Sequence, residues 1–351
     1  MSVLDLGIVG CGVMGRHHIE MAREHPGVRV AAVADVRVAL AEALAREYGV
    51  PKVYPSGEAL LRDGEIQAVV LALPTCWRTP LALEALARGK DVLIEKPIAM
   101  NADEVRRLIA ARGRNVVGCC SSRPLFDPSA KAVATSVASG EIGRLRLVHA
   151  RAMMPLRAKE PPPPAWRLKR DVNGGGILMN WGCYDLDFIL GVTGWVLEPR
   201  TVFAVAWGVP DVYASWVAPG SDAETHFAAL IKCAGGETIY LERAEYVPSA
   251  PADSVHLIGD RGSIHCRMVA PHQTVVIEKA DPERGLLPET LWEGDCDGRA
   301  RNMAMVRDFI EAVMERRQPQ TSLERALVIQ RISDAIYRSA ESSMAISIED
   351  V

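Results

Sequence analysis

Short apolar runs alternate with helical segments along the first third of the chain, and this alternation predicts the architecture there. The apolar runs are typical of buried strands, and the segments between them carry apolar residues at helical spacing. The predicted strands are Val3 to Val9, Val28 to Ala34, Lys52 to Tyr54, Ile66 to Leu73, Val92 to Ile94 and Val116 to Cys119. Strands that alternate with helices form a mainly parallel sheet with helices on both faces. We therefore predict a doubly wound α/β domain over residues 1–122.

The pattern changes after residue 122, where strand-like segments separated by turns become dominant. A helix at Pro128 to Ser139 and a strand at Leu145 to Met153 precede a glycine-rich turn and a helix from Ile177 to Leu190. The further predicted strands are Val202 to Ala206, Thr225 to Cys233, Glu237 to Ala244, Ser254 to Ile258, Gly262 to Cys266 and Thr274 to Glu278. Two amphipathic helices within residues 301–343 are expected to pack near the domain junction. Residues 123–351 are thus predicted to form an α+β domain with a large, mainly antiparallel open sheet.

The length, charge and cysteine content of the chain exclude several classes of function. The chain of 351 residues is long enough for two hydrophobic cores. Its formal net charge is −4 with basic and acidic residues interspersed, so neither a nucleic acid nor a membrane is an expected partner. The apolar runs are too short to cross a membrane and the first residues lack a signal pattern, which predicts a cytoplasmic protein with small-molecule partners. The eight cysteines show no C-x-x-C pair, so we expect reduced thiols and no metal site.

Three glycines mark the turn between the first predicted strand and the first predicted helix. Gly10, Gly12 and Gly15 stand at G-x-G-x-x-G spacing. Gly10 would permit a tight turn, Gly12 would let a pyrophosphate approach the backbone, and Gly15 would let the helix pack closely on the strand. Backbone N–H groups near Val13 and Met14 would then face the phosphates. The turn predicts a Rossmann domain with a dinucleotide cofactor.

The charge at the tip of the second predicted strand bears on which nucleotide binds. Asp35 ends that strand, twenty residues past Gly15. A carboxylate at this place accepts hydrogen bonds from an adenosine ribose and repels a 2′-phosphate, which favours NAD. Arg37 lies two residues further on and could pair with a phosphate, so NADP stays possible. Asp35 could also cap the helix predicted from Arg37 to Tyr48.

Two further turns follow predicted strands, at residues 73–78 and 95–97. The carboxyl ends of parallel strands meet at one edge of a sheet, and ligands bind in the crevice outside that edge. We expect Lys96 at the mouth of this crevice. The residues of the two turns that we predict to line the cofactor site are Leu73, Pro74, Trp77, Glu95 and Lys96.

Several motifs in combination carry a family resemblance over most of the chain. They are GCGVMG at residues 10–15 with His18 three residues later, Glu-Lys-Pro at residues 95–97, and Trp166-Arg167 ahead of GGGILMNWGCYDLD at residues 174–187. The chain thereby resembles the glucose-fructose oxidoreductase, inositol dehydrogenase and rhizopine-catabolism oxidoreductases. The resemblance implies NAD(P)-dependent hydride transfer between nicotinamide and an alcohol carbon of a sugar, inositol, polyol or glycoside. It also implies a homo-oligomer, dimer or tetramer, formed through the C-terminal sheet.

The same resemblance implies an acid–base group. Family members commonly use the lysine of Glu-Lys-Pro together with an aspartate and a histidine at the positions that here are Asn180 and Tyr184. In the branch similar to glucose-fructose oxidoreductase and dihydrodiol dehydrogenase a tyrosine replaces the histidine, so Tyr184 is the implied proton donor and acceptor. A nearby ammonium favours phenolate over phenol, and Lys96 would supply that charge. Asn180 does not titrate and would orient the substrate through its amide.

Other matching positions are weaker candidates. Arg123, Trp166 and Arg167 match family positions near the nicotinamide or the substrate, and we predict that they bind substrate, although each could equally be structural. Asp187 also matches a family position near the nicotinamide or the substrate and could equally be structural. Arg78 stands at a position where family members frequently have a histidine. For His18 we expect packing or capping.

Two other functions remain open at this point. The fold family includes a repressor of galactose-pathway transcription that binds nucleotide without turnover, so a nucleotide- and sugar-sensing regulatory protein is one alternative. The other is a tightly bound NAD that undergoes redox cycling, either between two substrates or during transient oxidation of a glycoside. Lys96 and Tyr184 argue against the sensor, because a sensor has no need of an acid–base pair.

Overall fold

The computed structural model describes residues 3–351 and divides them into two compact units. One unit holds the chain up to Ser122 together with Asn302–Val328, and the other holds Arg123–Arg301 together with Ile329–Val351. The sequence predicts that all residues after 122 belong to the second domain, whereas residues 302–328 belong to the first unit. Leu323 and Ala326 in that segment are buried in the apolar core of the first unit, which explains the difference. An amphipathic helix packs on the apolar face available to it, and this need not belong to its sequence neighbours.

The first unit is built on a six-stranded parallel sheet. Its strands are β1 (Leu4–Val9), β2 (Val28–Ala34), β3 (Lys52–Tyr54), β4 (Ala68–Leu71), β5 (Asp91–Ile94) and β6 (Val117–Cys119). The helices between them are α1 (Val13–Arg23), α2 (Val38–Tyr48), α3 (Gly57–Leu61), α4 (Arg78–Ala87) and α5 (Ala102–Ala111). The strand order β3-β2-β1-β4-β5-β6 reverses direction at β1. This confirms the doubly wound sheet and places its topological switch point beside the glycine turn that follows β1.

The second unit contains a nine-stranded sheet with the order β14-β13-β12-β11-β7-β10-β9-β8-β15. The strands are β7 (Leu145–Met154), β8 (Pro199–Trp207), β9 (His226–Cys233), β10 (Thr238–Glu245), β11 (Ala252–Gly259), β12 (Gly262–Cys266), β13 (His272–Asp281), β14 (Gly285–Asp295) and β15 (Ile346–Ser347). Every neighbouring pair is antiparallel except β7 and β10, which are parallel. The large, mainly antiparallel sheet is therefore confirmed.

The strands β14 and β15 were not predicted from the sequence. Strand β14 contains Pro288 and leaves most of its side chains exposed, because it forms one edge of the sheet. An edge strand tolerates proline and needs no apolar face, so it carries little of the pattern that reveals a buried strand. Strand β15 has two residues and, among the described strands, pairs only with β8.

The helices that follow β6 are α6 (Pro128–Ala138), α7 (Arg170–Asn173), α8 (Cys183–Val192), α9 (Gly298–Glu315) and α10 (Leu323–Ser342). Helix α6 packs on α8 and on strands β13 and β14. The opposite face of the sheet leaves Phe203, Trp207 and Leu230 about half exposed. Within residues 3–351, no helix has both the length and the apolar character needed to cross a membrane.

The helix predicted from Ile177 to Leu190 differs in two ways. It begins with a π-helical turn at Leu178–Gly182, and α8 continues past Gly191 to Val192. The prediction that the helix ends at Leu190 was wrong. A Cβ atom at Gly191 would lie 2.5 Å from the Leu125 side chain, so this glycine permits close packing rather than chain reversal.

Candidate active site

The glycine turn after β1 has three glycines with three different surroundings. A Cβ atom on Gly10, whose φ is 96°, would lie 2.3 Å from the carbonyl oxygen of Ala72. A Cβ atom on Gly15 would lie 1.9 Å from the carbonyl oxygen of Gly10. A Cβ atom on Gly12 would meet no atom of residues 3–351 within 4 Å. Gly10 and Gly15 therefore let backbone segments of the unit approach each other, whereas Gly12 borders open space.

Helix α1 begins at this open space without a side-chain cap. Gly12 is its N-cap residue and offers no side-chain acceptor to the first N–H groups. Val13, the first residue of the helix, is 71% exposed although it is apolar. A helix N-terminus of this kind presents N–H groups and a partial positive charge to an incoming anion. The local backbone at Gly12, Val13 and Met14 fits a pyrophosphate.

Asp35 lies beside the glycine turn and holds it in place. Its Oδ2 accepts a hydrogen bond from the backbone N–H of Cys11 at 2.8 Å, and its Oδ1 accepts one from the N–H of Arg37 at 2.9 Å. The N-cap of α2 is Arg37, without a capping side chain, so the interpretation of Asp35 as that N-cap was wrong. The Arg37 side chain is largely exposed, with Nε 3.4 Å from Asp35 Oδ1. Burial of Asp35 at the tip of β2 fits a ribose acceptor.

Arg78 ties the two other predicted turns together. Its guanidinium is buried and donates to three carbonyl groups: to Leu73 at 2.7 Å, to Glu95 at 3.0 Å and to Pro97. A planar group with five donors can bind several carbonyl groups at once. Pro74 and Cys76 lie in the first of these turns, where Trp77 is 63% exposed. The sequence alone gives Arg78 no defined role, and in the structure its buried guanidinium group holds the loop that carries Lys96.

Glu95 connects the same loop to helix α1. Its Oε1 lies 2.8 Å from Nε2 of His18, and its Oε2 accepts the backbone N–H of Lys96 at 3.0 Å. Both side chains are almost fully buried, and Nδ1 of His18 has no hydrogen-bond partner within residues 3–351. Because a carboxylate oxygen of Glu95 is an acceptor, this geometry fits a His18 ring whose Nε2 carries a proton and donates it. The packing role expected for His18 therefore includes a specific hydrogen bond.

Cys120 lies close to His18 and Glu95, and these three are the group of metal-capable ligands found in the described part of the chain. Two ligands of one tetrahedral zinc ion stand about 3.3 Å apart or more, because each bond is about 2.0–2.2 Å long. The 2.8 Å between His18 Nε2 and Glu95 Oε1 is instead a hydrogen-bond distance. Cys119 is the last residue of β6, and Cys120 is the first residue of the turn that follows it. Seven cysteines are buried and Cys76 is partly exposed.

In the second unit, other residues of the protein occupy the space beside the triple glycine at residues 174–176. A Cβ atom on Gly176 would lie 1.7 Å from the carbonyl oxygen of Glu224, and one on Gly175 would lie 1.8 Å from the hydroxyl of Tyr337. The Glu224 carboxyl group accepts N–H groups from Gly176 at 2.9 Å and Leu178 at 3.0 Å, and the Tyr337 hydroxyl at 2.9 Å. Burial raises the pKa of Glu224, although these donors oppose the shift. Sequence reasoning missed Glu224, which holds the start of the helix that carries Asn180 and Tyr184.

Tyr184 is buried, and its hydroxyl group accepts a hydrogen bond from a positively charged side chain. Nη1 of Arg123 donates to the Tyr184 oxygen at 2.5 Å, and Trp181 packs edge-on against the Tyr184 ring with centroids 5.6 Å apart. Asn180, one turn earlier, is partly exposed. Lys96 belongs to the first unit and Tyr184 to the second. Within the second unit, therefore, Arg123 places a positive charge beside the Tyr184 hydroxyl group.

A cavity of about 850 Å³ in the second unit lies at the ends of β7, β10 and β12. Trp181 and Arg167 are among its walls. Arg167 donates to the hydroxyl of Tyr246 at 2.8 Å and forms an ion pair with Glu245. Burial and the charge of Glu245 raise the pKa of Tyr246 to about 12, so this hydroxyl keeps its proton at neutral pH. Trp166 is 40% exposed and does not line the cavity.

The chain is similar to known proteins in both units. A family model described as "Oxidoreductase family, NAD-binding Rossmann fold" matches residues 4–119, and that of the GFO/IDH/MocA C-terminal domain matches residues 130–265. Inositol 2-dehydrogenase of Rubrobacter xylanophilus is 39% identical over 273 residues, which are 74% of this chain and 70% of the relative. The chain belongs to this oxidoreductase family. The oxidoreductase ORF334 of Rhizobium meliloti is 28% identical over 97% of this chain and 98% of its own.

Solved structures of similar fold cover nearly the whole oxidoreductase. Levoglucosan dehydrogenase in complex with NADH matches with a TM-score of 0.85 and 20% identity over 99% of each chain. An oxidoreductase domain protein from Kribbella flavida matches with a TM-score of 0.86 and 22% identity over 99% of this chain and 100% of the other. The predicted family, fold class and NAD cofactor are thus confirmed. The roles predicted for individual residues remain predictions.

Proposed function

We propose that this protein is a dehydrogenase that moves a hydride between NAD and a secondary alcohol or ketone of a sugar, inositol, polyol or glycoside. The observation that carries the proposal is the buried hydrogen bond between Arg123 and Tyr184. Tyr184 lies in the same helical segment as Trp181, which lines the large cavity. A relative 39% identical is an inositol 2-dehydrogenase, which supports the substrate class.

The first unit supplies the cofactor site in this proposal. N–H groups of Gly12, Val13 and Met14 bind the pyrophosphate, and Asp35 accepts from the adenosine ribose. When bound, NAD accepts or returns the hydride. Arg37 and residues of the two turns complete the predicted lining of the site. The turn residues are Leu73, Pro74, Trp77, Glu95 and Lys96.

Tyr184 acts as the acid–base group in the second unit. It takes the hydroxyl proton of the alcohol as the alcohol is oxidised and gives it back in the reverse direction. The Arg123 guanidinium supports this role because a positive charge at 2.5 Å stabilises the phenolate. Asn180 orients the substrate through its amide, and Trp166 and Arg167 contribute to substrate binding.

Lys96 hydrogen-bonds the reacting oxygen of the substrate and adds positive charge there. The backbone around it is held by Glu95, which accepts the Lys96 N–H, and by Arg78, which donates to carbonyl groups on both sides of it. A catalytic group held on a braced backbone keeps its position during the reaction, and small misplacements lower the rate steeply. His18 contributes through its hydrogen bond to Glu95.

The exposed apolar side chains on the outer face of the nine-stranded sheet support assembly of a homo-oligomer through that face. Phe203, Val205, Trp207 and Leu230 stand on the neighbouring strands β8 and β9 and are 39–50% exposed. A second copy of the sheet would bury them.

The test is a panel of sugars, inositols and glycosides, both neutral and anionic, with NAD or NADP, followed by absorbance at 340 nm. We expect turnover with NAD that falls by about a hundredfold or more in Tyr184→Phe and in Lys96→Ala, because each loses acid–base assistance. Tyr213→Phe, a partly exposed tyrosine in a surface turn, is the control.

Full activity in Tyr184→Phe would remove Tyr184 from the mechanism. If the whole panel gives no turnover while NAD binds, the sensing protein becomes the better account. NAD that stays on the protein through gel filtration would favour the tightly bound cofactor instead.

A further inference from the structure

The arginines that line the cavity of the second unit fall into two classes. Arg243 is buried and forms an ion pair with the buried Asp185, and Arg167 is paired with Glu245. Arg157 and Arg267 are exposed, and their guanidinium groups form no hydrogen bond or ion pair within residues 3–351. The cavity therefore presents two guanidinium groups that form no ion pair within the described residues.

The carboxylates of the same cavity are already engaged. Besides Glu245, these are Asp253 and Glu160. Asp253 accepts backbone N–H groups from three successive residues, 268–270, at 2.8 to 3.2 Å. Glu160 accepts the backbone N–H of Arg157 at 3.0 Å. Backbone amides thus hold these two carboxylates, and within residues 3–351 neither forms an ion pair with Arg157 or Arg267.

The remaining walls suit a sugar ring. Met154, Trp181 and Val269 supply apolar and aromatic surface, and Trp181 also contacts the Tyr184 ring. A volume of about 850 Å³ lies near the upper end of the range for small-molecule sites, about 300–1,000 Å³. The cavity has room for a sugar ring together with a further substituent.

We propose that Arg157 and Arg267 bind an anionic substituent of the substrate, a carboxylate or a phosphate carried by the sugar. Guanidinium groups bind both anions through charge-assisted, often bidentate, hydrogen bonds. The inference rests on the proposed function for the reacting alcohol and adds the charge class of the molecule that carries it. The substrate is then a sugar acid or a sugar phosphate rather than a neutral polyol.

The test compares matched neutral and anionic probes on the NADH-loaded protein by calorimetric titration. The probes are glucose, glucuronate and glucose 6-phosphate, with myo-inositol and myo-inositol 1-phosphate as a second set. We expect an anionic member of a set to bind at least about tenfold more tightly than its neutral partner. Glucuronate against glucose 6-phosphate distinguishes a carboxylate from a phosphate site.

Variants locate the effect on the two arginines. In Arg157→Gln and Arg267→Gln we expect the preference for the anion to fall about tenfold, with KM raised and kcat little changed, because the interaction is the same in ground and transition state. Arg284→Gln, at the exposed tip of the β13–β14 hairpin, removes the same charge elsewhere and is the control. Phenylglyoxal labelling read by mass spectrometry adds a readout that needs no turnover, since a bound anion protects Arg157 and Arg267.

Equal affinity for neutral and anionic probes, or a preference that survives in both variants, would overturn this inference even with turnover intact. Absence of binding by every anionic probe would overturn it as well. Conversely, anion binding that depends on the two arginines, with no turnover and no effect of Tyr184→Phe, would uphold the site and reject the dehydrogenase proposal.

Discussion

Two glycine clusters stand where helices begin, one in each unit, and they serve opposite purposes. The N-terminal cluster leaves open space at Gly12 and an uncapped helix start. The triple glycine of the second unit is occupied by Glu224, whose carboxyl group already accepts the N–H groups of Gly176 and Leu178. One helix start is prepared for an acceptor from outside the chain, and the other has received its acceptor from within.

A glycine-rich sequence before a helix therefore does not by itself indicate a ligand. What separates the two cases is the occupant of the space that the absent side chains leave. At Gly176 that occupant is the backbone of residue 224, forty-eight positions further along the chain. At Gly12 no atom of the described part of the chain occupies that space.

The largest effect is expected for Gly176→Ala. Its new methyl group would lie 1.7 Å from the Glu224 carbonyl oxygen, so the backbone must separate. We expect the free energy of unfolding to fall by about 3 kcal/mol or more. Urea unfolding measures it, with Gly208→Ala as the control, since a methyl group at Gly208 meets no atom within 4 Å. Stability equal to that of the control would mean that the triple glycine is not closely packed.

The second largest loss of stability is expected for Glu224→Gln, which replaces an acceptor oxygen by an amide group that faces a backbone N–H group. We expect a loss of about 2 kcal/mol in stability. Burial raises the pKa of Glu224 above its usual 4.5, so the stability it contributes is fully present below pH 4.5 and declines as the pH rises through the raised pKa. The difference between wild type and variant should narrow with rising pH in unfolding curves. A difference that widens would contradict the raised pKa.

The smallest change in stability, and the sharpest test of the comparison, is expected for Gly12→Ala. The backbone at Gly12 has a φ of −76°, which alanine adopts freely, and the methyl group has space, so stability should change by about 0.5 kcal/mol or less. NAD affinity should fall by at least about tenfold because the methyl group takes the place of the pyrophosphate. Fluorescence titration with NADH measures the affinity, and Gly64→Ala, also in open space, is the control. Unchanged affinity would show that the open space is not where the phosphates bind.

The sequence was sufficient for the features encoded in short stretches. The G-x-G-x-x-G turn, the acidic residue that ends β2 and the alternation of strands and helices each involve neighbours within a few residues. The family motifs also located Tyr184 and Arg123 separately. Nothing in the local pattern indicated that these two, sixty-one residues apart, share a hydrogen bond.

The features that sequence reasoning missed depend on partners far along the chain. Glu224 lies in a turn before β9 without any surrounding motif, and Arg78 resembles an ordinary surface arginine until its three carbonyl partners are known. Strand β14 was missed because an edge strand with exposed side chains lacks an apolar pattern. Buried polar groups require partners, but the sequence does not state which ones.

The unequal burial of the cysteines has a practical consequence. The fold shields seven thiols, and Cys76, in the turn that follows β4, is the partly exposed one. A thiol-specific dye applied to the unmodified protein would therefore attach mainly at one place, beside the predicted nucleotide crevice. The natural chain thus carries its own attachment point for an optical reporter of cofactor binding, and no engineered residue is needed to install one.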